Sequence, residues 1–242
     1  NGGHIPGSVR MDPEHFRGVV GGVSSLLLPA DMIARHLELL GITAETTVVI
    51  VPSDKLQDAT LVGHALERVD HRRYALLNGG WEKWQAEQRP VDTRLPAITA
   101  TSYPAPRQPD GFTVDYLTVL AHSQRRSAVI LDVRPADFFS GAKSDEARAG
   151  HIPGAVNRPF TDDLTTTDGI TLFKPLPELE AAYAGLVPSK ETTVVVTCRT
   201  GHQASQTRFV LRLLLGYRNV LWYDGGWAEW ASRSELPVET TR

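Results

Sequence analysis

The chain has 242 residues, of which 41% are hydrophobic and 22% charged, with a net charge of -3. That length accommodates one large domain or two ordinary ones, and a weakly negative balance without a long basic run argues against nucleic acid or a membrane surface as the main partner. One cysteine excludes an intramolecular disulfide framework and fits a reducing compartment, and no uninterrupted apolar run approaches the ~18 residues of a membrane span; with an N-terminus unlike a signal peptide, the expectation is a cytoplasmic protein.

From the N-terminus, apolar spacing predicts a helix over Met32–Leu40, a strand over Thr47–Val51, a helix over Thr60–Arg68 and a strand over Tyr74–Leu77. Four prolines between Leu95 and Gly111 then block helix and central-strand pairing, so residues 95–111 read as an extended linker. Beyond it, Ala128–Val133, Val194–Cys198 and Val220–Tyr223 are buried-strand runs, and helical patterns cover Leu176–Leu186 and Gln203–Leu215. Strands alternating with helices predict an α/β fold with a mainly parallel sheet, whose ligands sit beyond the carboxyl ends of the strands.

The chain also repeats itself. Gly3-His-Ile-Pro-Gly-Ser-Val9 returns 147 residues later as Gly150-His-Ile-Pro-Gly-Ala-Val156. Thr46-Thr-Val-Val-Ile-Val51 returns as Thr192-Thr-Val-Val-Val-Thr197, and Gly79-Gly-Trp-Glu-Lys-Trp84 as Gly225-Gly-Trp-Ala-Glu-Trp230, both 146 residues later. A period this long means duplicated domains and not a solenoid. The division is 1–94, linker 95–111, and 112–242. The first copy has no counterpart of residues 127–149, so either a segment ahead of residue 1, the favoured reading, or some other element is expected to complete its sheet; without that strand this domain is expected to be the less stable one. Pro52 occupies the place of Cys198, and Ser53-Asp-Lys-Leu56 replaces the following loop, which leaves the first copy without a nucleophile.

Cys198 itself ends a β-branched run and opens the loop Arg199-Thr-Gly-His-Gln203 ahead of a helix. Backbone N–H groups and the helix dipole converge at such a place and favour a thiolate, so a depressed pKa is expected. Gly201 lets the loop fold back with an unusual φ.

Asp132-Val-Arg134, Gly150-His-Ile-Pro-Gly-Ala-Val-Asn157, Cys198-Arg-Thr-Gly-His and Gly225-Gly-Trp-Ala-Glu-Trp230 resemble, in order, the motifs of the rhodanese (sulfurtransferase) homology domain. The resemblance covers nearly the whole chain and implies two tandem rhodanese-like domains, each a mainly parallel sheet flanked by helices, the first inactive. It implies that Cys198 takes a sulfane sulfur from a donor such as thiosulfate, becomes a persulfide, and passes the sulfur to cyanide or a thiol, with no further cofactor. Arg199 would supply charge for an oxyanion, and Thr200, His202 and Gln203 hydrogen bonds or loop backbone around it. Cys-Arg leans toward thiosulfate enzymes, whereas Cys-Gly-Ser/Thr-Gly is similar to 3-mercaptopyruvate enzymes, the alternative assignment. Thr200 and Phe138 stand where a lysine and an arginine often add positive charge.

Asp132 and Arg134 are expected to form a network that holds loops. Trp81, Trp84, Trp227 and Trp230 are expected to pack the domains, and the histidines lack metal-binding spacing. A cysteine phosphatase would need arginine six positions after the cysteine, where Ala204 stands. A non-catalytic rhodanese-like sulfur-carrier or regulatory module is the remaining alternative. The partners expected are therefore small sulfur donors and thiol or cyanide acceptors.

Overall fold

Short β-branched runs alternate with apolar-faced stretches, and they fold as strands and helices in turn. The computed structural model describes residues 2–104 and 109–241, so residues 105–108 of the predicted linker lie outside the described residues. The first elements are β1 (Arg17–Val20), β2 (Val23–Leu27), α1 (Ala30–Leu39), β3 (Val48–Ile50), α2 (Leu56–Arg68), β4 (Tyr74–Leu76) and α3 (Gly80–Ala86). There follow β5 (Thr113–Val114), α4 (Tyr116–Arg125), β6 (Val129–Asp132), α5 (Ala136–Ser140), β7 (Val156–Asn157), β8 (Leu164–Thr167) and β9 (Ile170–Phe173). The chain closes with α6 (Leu176–Ala184), β10 (Val194–Thr197), α7 (His202–Phe209), β11 (Val220–Tyr223) and α8 (Gly226–Ser232). Among the described residues no helix is long and apolar enough to cross a membrane.

Two compact units result: Asn1–Gly18 with Leu27–Asp110 and Thr166–Leu172, and Val19–Leu26 with Gly111–Thr165 and Phe173–Arg242. In the second, five parallel strands lie in the order β5-β11-β10-β6-β7. The central strand β10 is buried along its length, as its unbroken Val-Val-Val-Thr run requires of a strand covered on both faces. Its Val195 packs with Ile130, Ile152, Tyr223, Trp227 and Trp230. In the first unit, β3 pairs in parallel with β4, and among the described residues no other strand joins them. Of the two equivalent valines, Val195 is fully buried and Val49 is 58% exposed.

The internal repeat is a repeat of hydrogen bonds. His4 exchanges two backbone bonds with Asp92, and His151 does so with Glu239, at 2.8–3.0 Å. Trp84 and Trp230 each donate an indole N–H to a proline carbonyl, Pro90 and Pro237, at 2.8 Å. The N–H of Trp81 reaches the carbonyl of Pro52 at 2.9 Å, and that of Trp227 reaches Cys198 at 2.8 Å.

All four predicted helices depart from the expected bounds, α1 (Ala30–Leu39) and α6 (Leu176–Ala184) by one or two residues and two others by more. α2 begins at Leu56, not Thr60, because Leu56 is buried on the face it shares with Thr60 and Gly63. The expected helix at Gln203–Leu215 starts at His202 and stops at Phe209, and Val210–Leu214 continues as a π-helix. The wider turn, closed by the Leu215 N–H on the Val210 carbonyl, swings Leu215 back under Val210, so that Val210, Leu211 and Leu215 are all buried. Gly216, with φ of 73°, then reverses the chain.

Candidate active site

Cys198 follows directly on β10, and it is 1% exposed. The loop behind it is fixed by two glycines. Gly201 caps α7 with φ of 74°, and a Cβ there would stand 2.4 Å from Asp224 Oδ1 and 2.9 Å from the Trp222 ring. Its carbonyl accepts the Trp222 indole N–H at 2.9 Å. Gly226, with φ of 56°, leaves no room for a side chain, since a Cβ would approach the Arg199 and Cys198 carbonyls to 2.5 and 2.6 Å. Those carbonyls accept from Ala228 and Trp227 in α8. At the equivalent of Gly201 in the first copy, Lys55 has ordinary extended backbone at φ of -127°. The first copy thus lacks the reversed loop as well as the thiol.

The structure corrects one expectation about the sulfur. Burial pushes the Cys198 thiol above its ordinary value of 9.0, and the nearby Asp132 carboxylate pushes the same way. Hydrogen bonds from the backbone N–H groups of Ala204, Thr200 and Gln203 oppose this and favour the thiolate. The converging amides anticipated from the sequence are there, but desolvation outweighs them in a site this dry.

Asp132 and Arg134 are both buried and bidentate. The guanidinium Nε lies 3.0 Å from each carboxylate oxygen and Nη2 lies 2.5 Å from Oδ2. Nη2 also reaches the Gly150 carbonyl at 2.8 Å, and the guanidinium lies 4.7 Å over the Trp227 ring. Asn157 ties the same corner by donating to the Asp132 and Arg134 carbonyls. His151 of the Gly-His-Ile-Pro-Gly segment stacks on Phe139 at 3.7 Å and bonds its carbonyl.

A cavity of about 160 Å³ opens beside the cysteine loop. Arg134, Arg199 and Gln203 line it together with Phe138 and Trp227, and Thr200 and His202 are outside its lining. Trp227 therefore both packs the core, as its spacing suggested, and walls the cavity. Sequence reasoning missed Glu146, which also lines the cavity and bonds Arg199 Nε through Oε1 at 2.7 Å. No local pattern marks it, because its contact with Arg199 spans 53 residues.

The Rhodanese-like domain family matches residues 1–87 and 116–233. The chain is 32% identical to a thiosulfate sulfurtransferase of Corynebacterium glutamicum, covering 98% of this chain and 80% of that one. It is also 32% identical to the sulfur carrier protein TtuD of Thermus thermophilus, covering 98% and 85%. The solved structure of wild-type EanB superposes with a TM-score of 0.86 at 22% identity over 99% of this chain, which spans 60% of the EanB chain; that likeness is one of fold. Duplicated motifs, parallel sheet and cysteine loop agree with these matches, and the chain belongs to the rhodanese-like family.

Proposed function

We propose that the protein is a sulfurtransferase that carries sulfur as a persulfide on Cys198, with thiosulfate as a competent donor and cyanide or a thiol as acceptor. The observation that carries this reading is the set of three backbone N–H groups, from Ala204, Thr200 and Gln203, directed at one buried sulfur. They stabilise a thiolate and, after transfer, the terminal charge of a persulfide, and they do so without reorganising. In the first half-reaction the Cys198 thiolate attacks the outer sulfur of thiosulfate, the S–S bond breaks, and sulfite leaves with the bonding pair. In the second, cyanide attacks the terminal sulfur and leaves as thiocyanate, returning the thiolate. Electrons balance within each step, so no cofactor is called for beyond the cysteine.

The corner built by Asp132, Arg134 and Asn157 positions the end of β6 beside the cysteine loop, and the Asp132 carboxylate disfavours the thiolate there. Because Cys198 is buried, its thiolate is scarce at neutral pH but poorly solvated and reactive once formed. The reading is tested by following thiocyanate from thiosulfate and cyanide, alongside mass analysis of the intact protein. The wild type should gain one sulfur atom on Cys198 and turn over, and Cys198→Ala should do neither; equal rates in the two proteins would overturn it. A carrier role, favoured by the name of the Thermus relative, predicts sulfur on Cys198 with negligible release to cyanide. Replacing thiosulfate by 3-mercaptopyruvate in the same assay ranks the two donors.

A further inference from the structure

Glu146 is held in place independently of the arginine it binds. Its N–H donates to Ser144 Oγ at 3.1 Å, and that hydroxyl lies 3.1 Å from the carbonyls of both Glu146 and Arg148. Two residues on, the Arg148 guanidinium donates to the carbonyls of Trp230, Ala231, Arg233 and Leu236 at 2.5–3.0 Å. The carboxylate so presented is mostly covered, with its side chain 18% exposed against 55% for Arg199.

Both guanidiniums lining the cavity are consequently matched, Arg134 by Asp132 and Arg199 by Glu146. Asp145 adds a further carboxylate to the lining, and among the described residues no cation pairs with it. A free dianion entering this cavity meets no unmatched positive charge. A zwitterion meets a complementary set: its carboxylate can take Arg199 while its ammonium takes the carboxylates of Glu146 and Asp145.

Resting on the sulfur-transfer reading, we propose that Glu146 determines donor specificity, and that the preferred donor is the persulfide of a free zwitterionic amino acid. The transfer needs no co-reactant. The Cys198 thiolate attacks the outer sulfur of R–S–SH, the S–S bond breaks, Cys198 keeps the sulfur and its hydrogen as a persulfide, and R–S⁻ leaves to be protonated by water. Thiosulfate remains a slower donor because it must displace Glu146 from Arg199 without offering the carboxylate a new partner.

The test measures second-order rates of sulfur addition to Cys198 by mass spectrometry for three donors: cysteine persulfide, its deaminated analogue 3-mercaptopropionate persulfide, and thiosulfate. The wild type should favour cysteine persulfide over the deaminated analogue by at least about fivefold, the scale of one partly exposed ion pair. Glu146→Gln should bring that ratio close to unity and raise the thiosulfate rate about fivefold. Asp145→Asn, at an exposed position whose change leaves the fold intact, should lower the same ratio. Equal rates for the two persulfides in the wild type, or an unchanged ratio in both variants, would overturn the proposal while leaving sulfur transfer standing. If none of the three donors adds sulfur to the wild type, the sulfurtransferase reading falls and this one with it.

Discussion

The duplicated glycines that open α3 and α8, Gly80 and Gly226, offer a substitution whose cost can be worked from the structure twice. Gly226→Ala places a methyl 2.5 Å from the Arg199 carbonyl oxygen and 2.6 Å from that of Cys198, and Gly80→Ala places one 2.2 Å from the Pro52 carbonyl oxygen. Both obstacles are backbone, and both glycines have left-handed φ, 56° and 54°. The left-handed conformation costs a non-glycine residue about 1–2 kcal/mol, and the enforced backbone shift about 1–3 kcal/mol more. Each variant should therefore lose about 2–5 kcal/mol. Gly154→Ala is the control, because its φ is 76° and its Cβ would meet nothing within 4 Å, so only the conformational part applies. Urea denaturation read by hydrogen exchange resolves the loss to one unit or the other. Sulfur loading then separates the copies, since Gly226→Ala displaces the carbonyl of Cys198 and should slow loading at least about tenfold, whereas Gly80→Ala should leave it unchanged. The reasoning is refuted if Gly226→Ala is no more destabilising than Gly154→Ala, or if Gly80→Ala slows loading as much as Gly226→Ala does.

Alkylation of Cys198 should accelerate about tenfold per pH unit between about pH 7 and pH 9, because the thiolate is the nucleophile and burial raises its pKa; a plateau below pH 8 would mean that the loop amides dominate. The same raised pKa makes the folded protein hold this proton more tightly than the unfolded chain. The contribution to stability is thus complete below about pH 9 and is lost as pH rises through the folded value, visible as a falling urea midpoint. Asp132→Asn strands the buried Arg134 guanidinium and should cost about 3–5 kcal/mol by denaturation. It also removes a charge that raises the Cys198 pKa, so the alkylation profile of the folded fraction should move to lower pH.

Strands were legible in the sequence where the environment is uniform. The Val-Val-Val run of β10 is read correctly because a strand covered on both faces admits only apolar, β-branched residues. Helix ends were less legible, and for a reason visible at Val210–Leu214: the apolar residues there satisfy both an α and a π turn, and only burial of Leu215 against its neighbours decides. The cysteine loop was legible as an address, since strand, thiol, glycine and helix follow one another in sequence. The state of its thiol was not. Local backbone donors are encoded by the loop, but desolvation is imposed by β6, β11 and α8, which are distant in sequence. Glu146 escaped for the same reason, because a contact across 53 residues leaves no spacing to read.

The two copies sort their own residues by physical task. Where both keep the same interaction, as with the tryptophan N–H on the carbonyl of Pro52 or Cys198 and the histidine bridges to Asp92 and Glu239, the interaction is made by backbone and holds the fold whatever chemistry follows. Where they differ, at Cys198 against Pro52 and at Gly201 against Lys55, the difference creates or abolishes a cradle of amides around one atom. Proline has no N–H and no nucleophile, yet its carbonyl serves Trp81 as well as that of Cys198 serves Trp227. The first copy can therefore lose its chemistry without losing the bonds that hold its loop to the following helix. Around the second copy's loop the same division holds: in the strap carrying Ser144, Glu146 and Arg148, the Arg148 guanidinium binds backbone carbonyls of Trp230 and Ala231 and so holds the fold, while Glu146 meets Arg199 of the cysteine loop.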